Sequence, residues 1–193
     1  MNKVVTFRNL NQIERKIIGS FLSKICLNFL SNFEKIEPNL YVFIKSKTQH
    51  IIYPQIYLLS EELKKILKKI NAFYHISSGG LYFGFIKRGE FYLSLEGADY
   101  LHKRGYISNL LQLYVNTKGE KSILYGNNIL KNMLIMKTYS FKENDFILVF
   151  NDEDELIAIG SSVIEGNDIK NLKPDDLVVN NLSDKGRYLR EKQ

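Results

Sequence analysis

Apolar residues recur every four positions near the start of the chain. Ile13, Ile17, Phe21 and Ile25 form one stripe, and Ile18, Leu22 and Phe29 lie on an adjoining one. Arg15, Lys16, Ser23 and Lys24 fall largely elsewhere, so the spacing predicts an amphipathic helix over residues 9–29. The runs LYVFI (40–44) and HIIY (50–53) predict strands on either side of a polar turn at 45–49, with Pro54 ending or edging the second. SEELKKILKKI (60–70) predicts a second helix. Ser60 can cap it, Glu61 and Glu62 suit its positive end, and Lys68 and Lys69 suit its negative end. Leu63, Ile66, Leu67 and Ile70 would form its apolar stripe. AFYHIS (72–77), LYFGFIK (81–87) and FYLSL (91–95) predict three more strands, and EGADYLHKRG (96–105) a short helix ending at Gly105.

After Ser108 the texture changes. LQLYV, FILVF, ELIAIGSSV and DLVVN are short β-rich runs, and NDEDE (151–155) reads as a hairpin turn. Among them sits ILYGNNILKNML (123–134). Here Gly126 would leave an extended segment, and Asn127 or Asn128 would cap a short helix carrying Ile129, Leu130, Met133 and Leu134. Free N–H groups at such a helix start would also suit a phosphate. The whole is read as an α+β chain of two domains. Residues 1–108 form an N-terminal α/β domain with a mixed or antiparallel sheet, and residues 109–193 a small β-barrel.

Composition sharpens this picture. The 193 residues are 45 % hydrophobic, with 12 Phe and 12 Tyr, enough for a sizeable core. Cys26 is the only cysteine, which excludes an internal disulfide and a cysteine-based zinc site and suits a reducing compartment. Its place among Ile25 and Leu27 predicts a buried, inert thiol. No apolar run reaches the length of a membrane span, and the first residues lack the pattern of a signal peptide. The net charge of +6 is unevenly placed. Residues 1–110 hold 16 Lys and Arg against 8 Asp and Glu, a net of +8, whereas residues 111–193 hold 11 against 13, a net of −2.

Catalytic templates are missing: there is no HExxH, GxxxxGK[ST], CxxC or GxSxG. His50, His75 and His102 lie in three different elements, and NDEDE lacks the spacing of a calcium loop, so no metal and no cofactor is expected. Lys64, Lys65, Lys68 and Lys69 crowd one helix face, read either as a solvated surface or as an RNA contact. The terminal stretch SDKGRYLREK is more pointed, because Lys185, Arg187, Arg190 and Lys192 surround Tyr188. Cations neutralise phosphates, and Tyr and Arg planes stack on bases.

The order of these segments resembles a PUA domain, the RNA-binding module shared with pseudouridine synthases and archaeosine transglycosylases. The resemblance is carried by LQLYVN, KSILYGNNILKNML, FILVFNDEDELIAIGSSV with its Ala158–Gly160 step, and the closing KPDDLVVNNLSDKGRYLR. It implies a pseudo-barrel with Gly160 where a side chain would crowd the interior. YFGFIKRGEFYLSLEGADYL, LYGNNILK and DKGRYLRE together resemble the archaeal and eukaryotic large-ribosomal-subunit biogenesis factors of pre-rRNA processing. These pair an N-terminal α/β domain with a C-terminal PUA domain. The chain departs from that family's pattern at Asn128 and at Lys131-Asn132-Met133.

The family resemblance implies a non-catalytic factor. Its partners would be RNA, as rRNA or pre-rRNA, and other assembly proteins docked by the N-terminal domain. No membrane is implied, and the setting would be cytoplasmic, or nucleolar in a eukaryote. The site residues carried over are Lys185, Arg187, Arg190, Gly126 and Asn127, with Tyr188 as a stacking group and Lys170 and Lys173 added on charge. Two alternatives stay open: an RNA-modification enzyme or accessory subunit, for which Asp99 is the only aspartate in residues 1–110, and a protein-interaction adaptor.

Overall fold

Asn11 sets the start of the first helix. Its side-chain oxygen accepts the Glu14 N–H at 2.9 Å while Glu14 Oε2 accepts the Asn11 N–H at 2.8 Å, a reciprocal capping box. In the computed structural model, which describes residues 7–44, 53–70 and 78–190 without the side chains of Ile70, Tyr188 and Leu189, helix α1 therefore runs Gln12–Ile25. The helix expected over 9–29 is shorter at both ends. Phe7–Asn9 precedes it as strand β1, and Asn28, in the left-handed region at φ 45°, starts a separate helix α2 (Phe29–Ile36). Burial draws on both apolar stripes, taking Ile18 and Leu22 from one and Ile25 from the other, and Ile13 is left 69 % exposed. Cys26 ends α1, and burial pushes its thiol up to about 11.

The chain divides into two units, Met1–Tyr106 and Ile107–Gln193. The first holds a five-stranded antiparallel sheet in the order β1-β2-β3-β4-β5. Strand β2 is Leu40–Phe43. Strand β3 is Gln55–Leu58, so Pro54 precedes it rather than ending it; the expected turn at 45–49 and residues 50–52 lie outside the described residues. Helix α3 (Glu61–Ile70) starts as expected, with Ser60 Oγ accepting the Leu63 N–H at 3.2 Å. The expected strand at 72–77 also lies outside the described residues.

Strand β4 (Leu81–Lys87) turns into β5 (Glu90–Leu93) through Arg88 and Gly89, both at positive φ, the two-residue hairpin geometry that matches strand twist. Strand β5 stops short of the expected Leu95, because Ser94 Oγ accepts the Gly97 N–H at 2.9 Å and caps α4 (Leu95–Lys103). One face of the sheet packs on α1 and α4. Val42, Ile56, Phe83, Phe91 and Leu93 are buried there, and Phe21 of α1 meets Phe91 edge-on at 5.6 Å.

The second unit is a curled half-barrel of strand order β6-β8-β9-β10-β7. Its elements are β6 (Gln112–Tyr114), helix α5 (Thr117–Leu124), β7 (Ile129–Leu130), β8 (Phe146–Phe150), β9 (Leu156–Ser162), β10 (Leu177–Asp184) and a last short turn of helix, α6 (Arg187–Arg190). Strand β6 runs parallel to β8, and the other pairs are antiparallel. A bridge between Val115 and Leu134 joins the β6 end to the segment after β7, which bends the sheet toward closure. A Cβ on Gly160 would come within 2.3 Å of Val179 Cγ1, so the close approach expected there is present. The Asn151 side-chain oxygen accepts the N–H groups of Glu153 and Glu155, making residues 151–155 the expected turn.

One expectation is reversed. The helix lies before Gly126, as α5, and the chain beyond the glycine forms the short strand β7 and a 3-10 turn (Lys131–Met133). Asn116 is the N-cap, its side chain accepting the Gly119 N–H at 2.9 Å. Neither Asn127 nor Asn128 begins a helix, so there is no ring of free N–H groups there for a phosphate. Among the described residues no helix is long and apolar enough to cross a membrane.

Candidate nucleic-acid interface

The Gly-Asn-Asn step is a helix stop. Gly126 sits at φ +89°, a conformation that suits a residue without Cβ. Its N–H donates to Ile123 O at 2.7 Å, and the Asn127 N–H donates to Ser122 O at 3.3 Å. These two bonds close the end of α5 in a Schellman arrangement. Asn128 Oδ1 accepts the Asn181 N–H at 3.0 Å, which ties the loop to β10.

The chain after β10 folds back over this helix end. Arg190 forms a two-pronged ion pair with Asp184, Nη1 to Oδ1 at 3.0 Å and Nη2 to Oδ2 at 2.9 Å, and also donates to Leu124 O. Asp184 is 3 % exposed. Asn181 Nδ2 donates to Asn127 O at 3.2 Å and to Asp184 Oδ2 at 3.1 Å. A carbonyl at the end of α5 is thus capped by a cation, which suits the negative end of the helix dipole. The turn can press this close only because residue 186 is glycine: a Cβ there would lie 1.9 Å from Leu124 O. The Arg190 guanidinium lies against Gly126, whose own Cβ would meet Nη2 at 3.1 Å.

Gly126, Asn127, Lys185, Arg187 and Arg190 are therefore gathered at one end of β10. Lys185 and Arg187 are exposed, and Lys185 Nζ lies 3.3 Å from Glu155 Oε2. The Tyr188 side chain and Lys192 lie outside the described residues. Lys170 and Lys173 are exposed beyond the other end of β10. The eight residues of β10, about 23 Å at a strand's rise per residue, lie between the two groups. Lys131, which charge alone did not single out, donates its ammonium to Lys170 O at 3.1 Å and to Leu172 O, and so braces the lysine-bearing turn. Tyr125, 79 % exposed beside Gly126, is a further flat group at this end. It was legible only as the aromatic flanking the glycine in ILYGNN.

Comparison with known proteins bears on the fold and the family. The UPF0113 PUA domain matches residues 111–193. A "UPF0113 protein" of Archaeoglobus fulgidus is 29 % identical over 190 residues, 98 % of this chain and 97 % of that one. A "60S ribosome subunit biogenesis protein NIP7 homolog" of Dictyostelium discoideum is 31 % identical over 137 residues, 71 % of this chain and 74 % of that one. The chain belongs to the NIP7 family. A crystal structure described as a PUA domain from Aeropyrum pernix superposes with a TM-score of 0.66 at 16 % identity, over 99 % of this chain and 94 % of that one. The fold of this family member is thus an α/β sheet unit followed by a PUA half-barrel.

Two residues of this end of β10 were missed by the sequence reading. Asp184 and Asn181 organise it, yet neither stands out by charge pattern or periodicity. Alternation from the buried Val178 would also turn Asn180 and Leu182 inward, yet both are exposed; a bulge between Asn181 and Ser183 resets the period and brings Asp184 inside.

Proposed function

We propose that this chain is an RNA-binding assembly factor of the large ribosomal subunit, acting by binding rather than by catalysis. The PUA half-barrel, residues 109–193, docks rRNA or pre-rRNA, and residues 1–108 dock other assembly proteins. The work would be done in the cytoplasm, or in the nucleolus of a eukaryote. Relatives named as 60S subunit biogenesis proteins support the setting. The observation that carries the RNA reading is the pair of outward cationic groups at the two ends of β10, Lys170 and Lys173 at one and Lys185 and Arg187 at the other. Cations placed outward in this way can neutralise phosphates of RNA. Arg190 acts differently: it holds the closing turn on α5 and so positions Lys185 and Arg187. Exposed Ile13, Leu27 and Leu30, on α1, α2 and the turn between them, support a protein-docking surface in the first unit.

The test is the salt dependence of RNA binding by the full chain. Replacing Lys170, Lys173, Lys185 and Arg187 with Ala should flatten the slope of log K against log salt by about three. An unchanged slope in a folded variant would remove this surface from the reading. Crosslinking in the native cell, followed by sequencing of the attached RNA, identifies the transcript.

A further inference from the structure

The sheet of the first unit has a second face, opposite α1 and α4, and it is aromatic. Tyr92 of β5 stands opposite Phe85 of β4, which stands opposite Gln55, then Phe43, then Phe7 across the strands. A parallel row runs Tyr82, Tyr57, Tyr41. The rings touch: Phe85 and Tyr92 stack at 5.0 Å and 8° between planes, Tyr53 lies 6.1 Å from Phe85, and Tyr57 lies 5.5 Å from Tyr82. Helix α3 covers only the β1–β2 end of this face, where Leu67 packs with Phe7 and Phe43. Toward β5 the rings come to the surface. Phe85, Tyr53 and Tyr82 are half-buried, and Tyr92 is 40 % exposed. The solvent face of an antiparallel sheet is ordinarily polar, so two rows of rings there call for a reason.

The surrounding charge identifies what would lie on them. The first unit carries the net +8 of the chain's first 110 residues. Lys87 lies on the same face, 4.9 Å over the Tyr53 ring, and Arg88 is exposed in the adjoining turn. At the far side the exposed Lys68, with Arg8 paired to Glu14 and Lys64 paired to Glu61, rims a cavity of about 230 Å³ whose apolar lining is Phe7, Tyr41 and Leu67. Glu90 is engaged by the Tyr92 hydroxyl, which donates to its Oε2 at 2.9 Å and so orients the ring. Flat, tethered rings bordered by cations match a ligand made of flat bases joined by phosphates. We infer that this face, centred on Phe85 and Tyr92, is a second RNA-binding site on which successive bases of a single strand stack. The inference goes beyond the half-barrel reading and rests on different residues.

The chain contains no tryptophan, so Tyr92→Trp in the full chain gives a single reporter. Titration with an unstructured oligouridylate of about ten nucleotides should quench its emission to saturation. Adding Phe85→Leu, which keeps an apolar group and removes the ring, should weaken binding about fivefold or more while leaving the salt slope unchanged. Adding Lys87→Ala and Arg88→Ala instead should lower the slope. Thermal melts establish that each variant is folded. Oligonucleotide binding, read by filter retention, with no change in the tryptophan signal would overturn the inference. So would equal quenching by a polyglutamate peptide, which would mark the face as a protein contact. In a Tyr92→Trp chain that also carries the four half-barrel alanines, persistent quenching supports a separate site, and its loss overturns this inference. Oligonucleotide affinity unaffected by those four alanines would instead count against the half-barrel reading alone.

Discussion

The two units each contain one arginine locked in two-pronged fashion to a carboxylate at a helix end, and they use it differently. In the first, Arg8 meets Glu14 at 2.7 and 2.8 Å, at the N-terminus of α1. In the second, Arg190 meets Asp184 beside the C-terminus of α5. Glu14 is already held by the Asn11 cap, and the Arg8 side chain is 41 % exposed. Asp184 is 3 % exposed and sits where three segments converge: the α5 end, β10 and the closing turn. The same chemistry reinforces a local cap in one unit and holds the tertiary closure in the other. A net-negative unit thus commits one of its few arginines to its own fold, whereas the cationic unit has charge to spare at its surface.

Breaking the two pairs separately tests this contrast most strongly. Arg190→Ala should destabilise the chain by about 3 kcal/mol, because it leaves a buried carboxylate uncompensated. Arg8→Ala should cost about 1 kcal/mol or less, as for a solvated pair. Urea denaturation of the full chain reads both, and equal losses would erase the distinction. Next in size is Gly186→Ala, expected to cost about 2 kcal/mol, since the added methyl meets the backbone oxygen of Leu124. Gly126→Ala should cost nearer 1 kcal/mol, the usual strain of a left-handed alanine. A Gly186 variant as stable as wild type would mean that the closing turn does not pack on α5.

Acid sharpens the comparison further. Burial alone would raise the Glu14 pKa, but the Arg8 hydrogen bond, the Asn11 N–H and the Arg8 charge together hold it below its ordinary value. The folded value lies below the unfolded one, so the stabilisation is complete above about pH 4.3 and is lost as pH falls through the folded value. Glu14→Gln should flatten that acid limb, measured as urea midpoints between roughly pH 3 and 6. Parallel acid limbs for wild type and variant would show that the pair contributes nothing. The smallest expected effect is that of Lys185→Ala. Its loss should change stability by no more than about 0.5 kcal/mol, because its pair with Glu155 is solvated. A large loss would make Lys185 a second brace rather than a phosphate contact.

Much of the fold was legible where a local device decides it. Ser60 before Glu61-Glu62, Gly105 after Lys103 and NDEDE each act within a few residues, and the structure has the helix start, helix stop and turn they announce. Helix α5 was not legible, because Gly119 in its first turn weakens the helical signal. That glycine answers a distant need: a Cβ there would lie 2.7 Å from Met133. Which members of the two apolar stripes of α1 are buried was equally closed to periodicity. Both are apolar, and the packing of α1 against the sheet selects Ile18 and Leu22 over Ile13.

Sequence alone determined the composition of each half, the unequal division of charge, and the caps and turns whose partners sit three or four residues away. Only the tertiary structure decided which cation is turned back onto the fold. The partner of Arg190 is a carboxylate on β10, and its second acceptor is a carbonyl 66 positions earlier in the chain. Hydrogen bonds and ion pairs act over about 3 Å in space whatever the separation along the chain, so that assignment exists only once the barrel has closed.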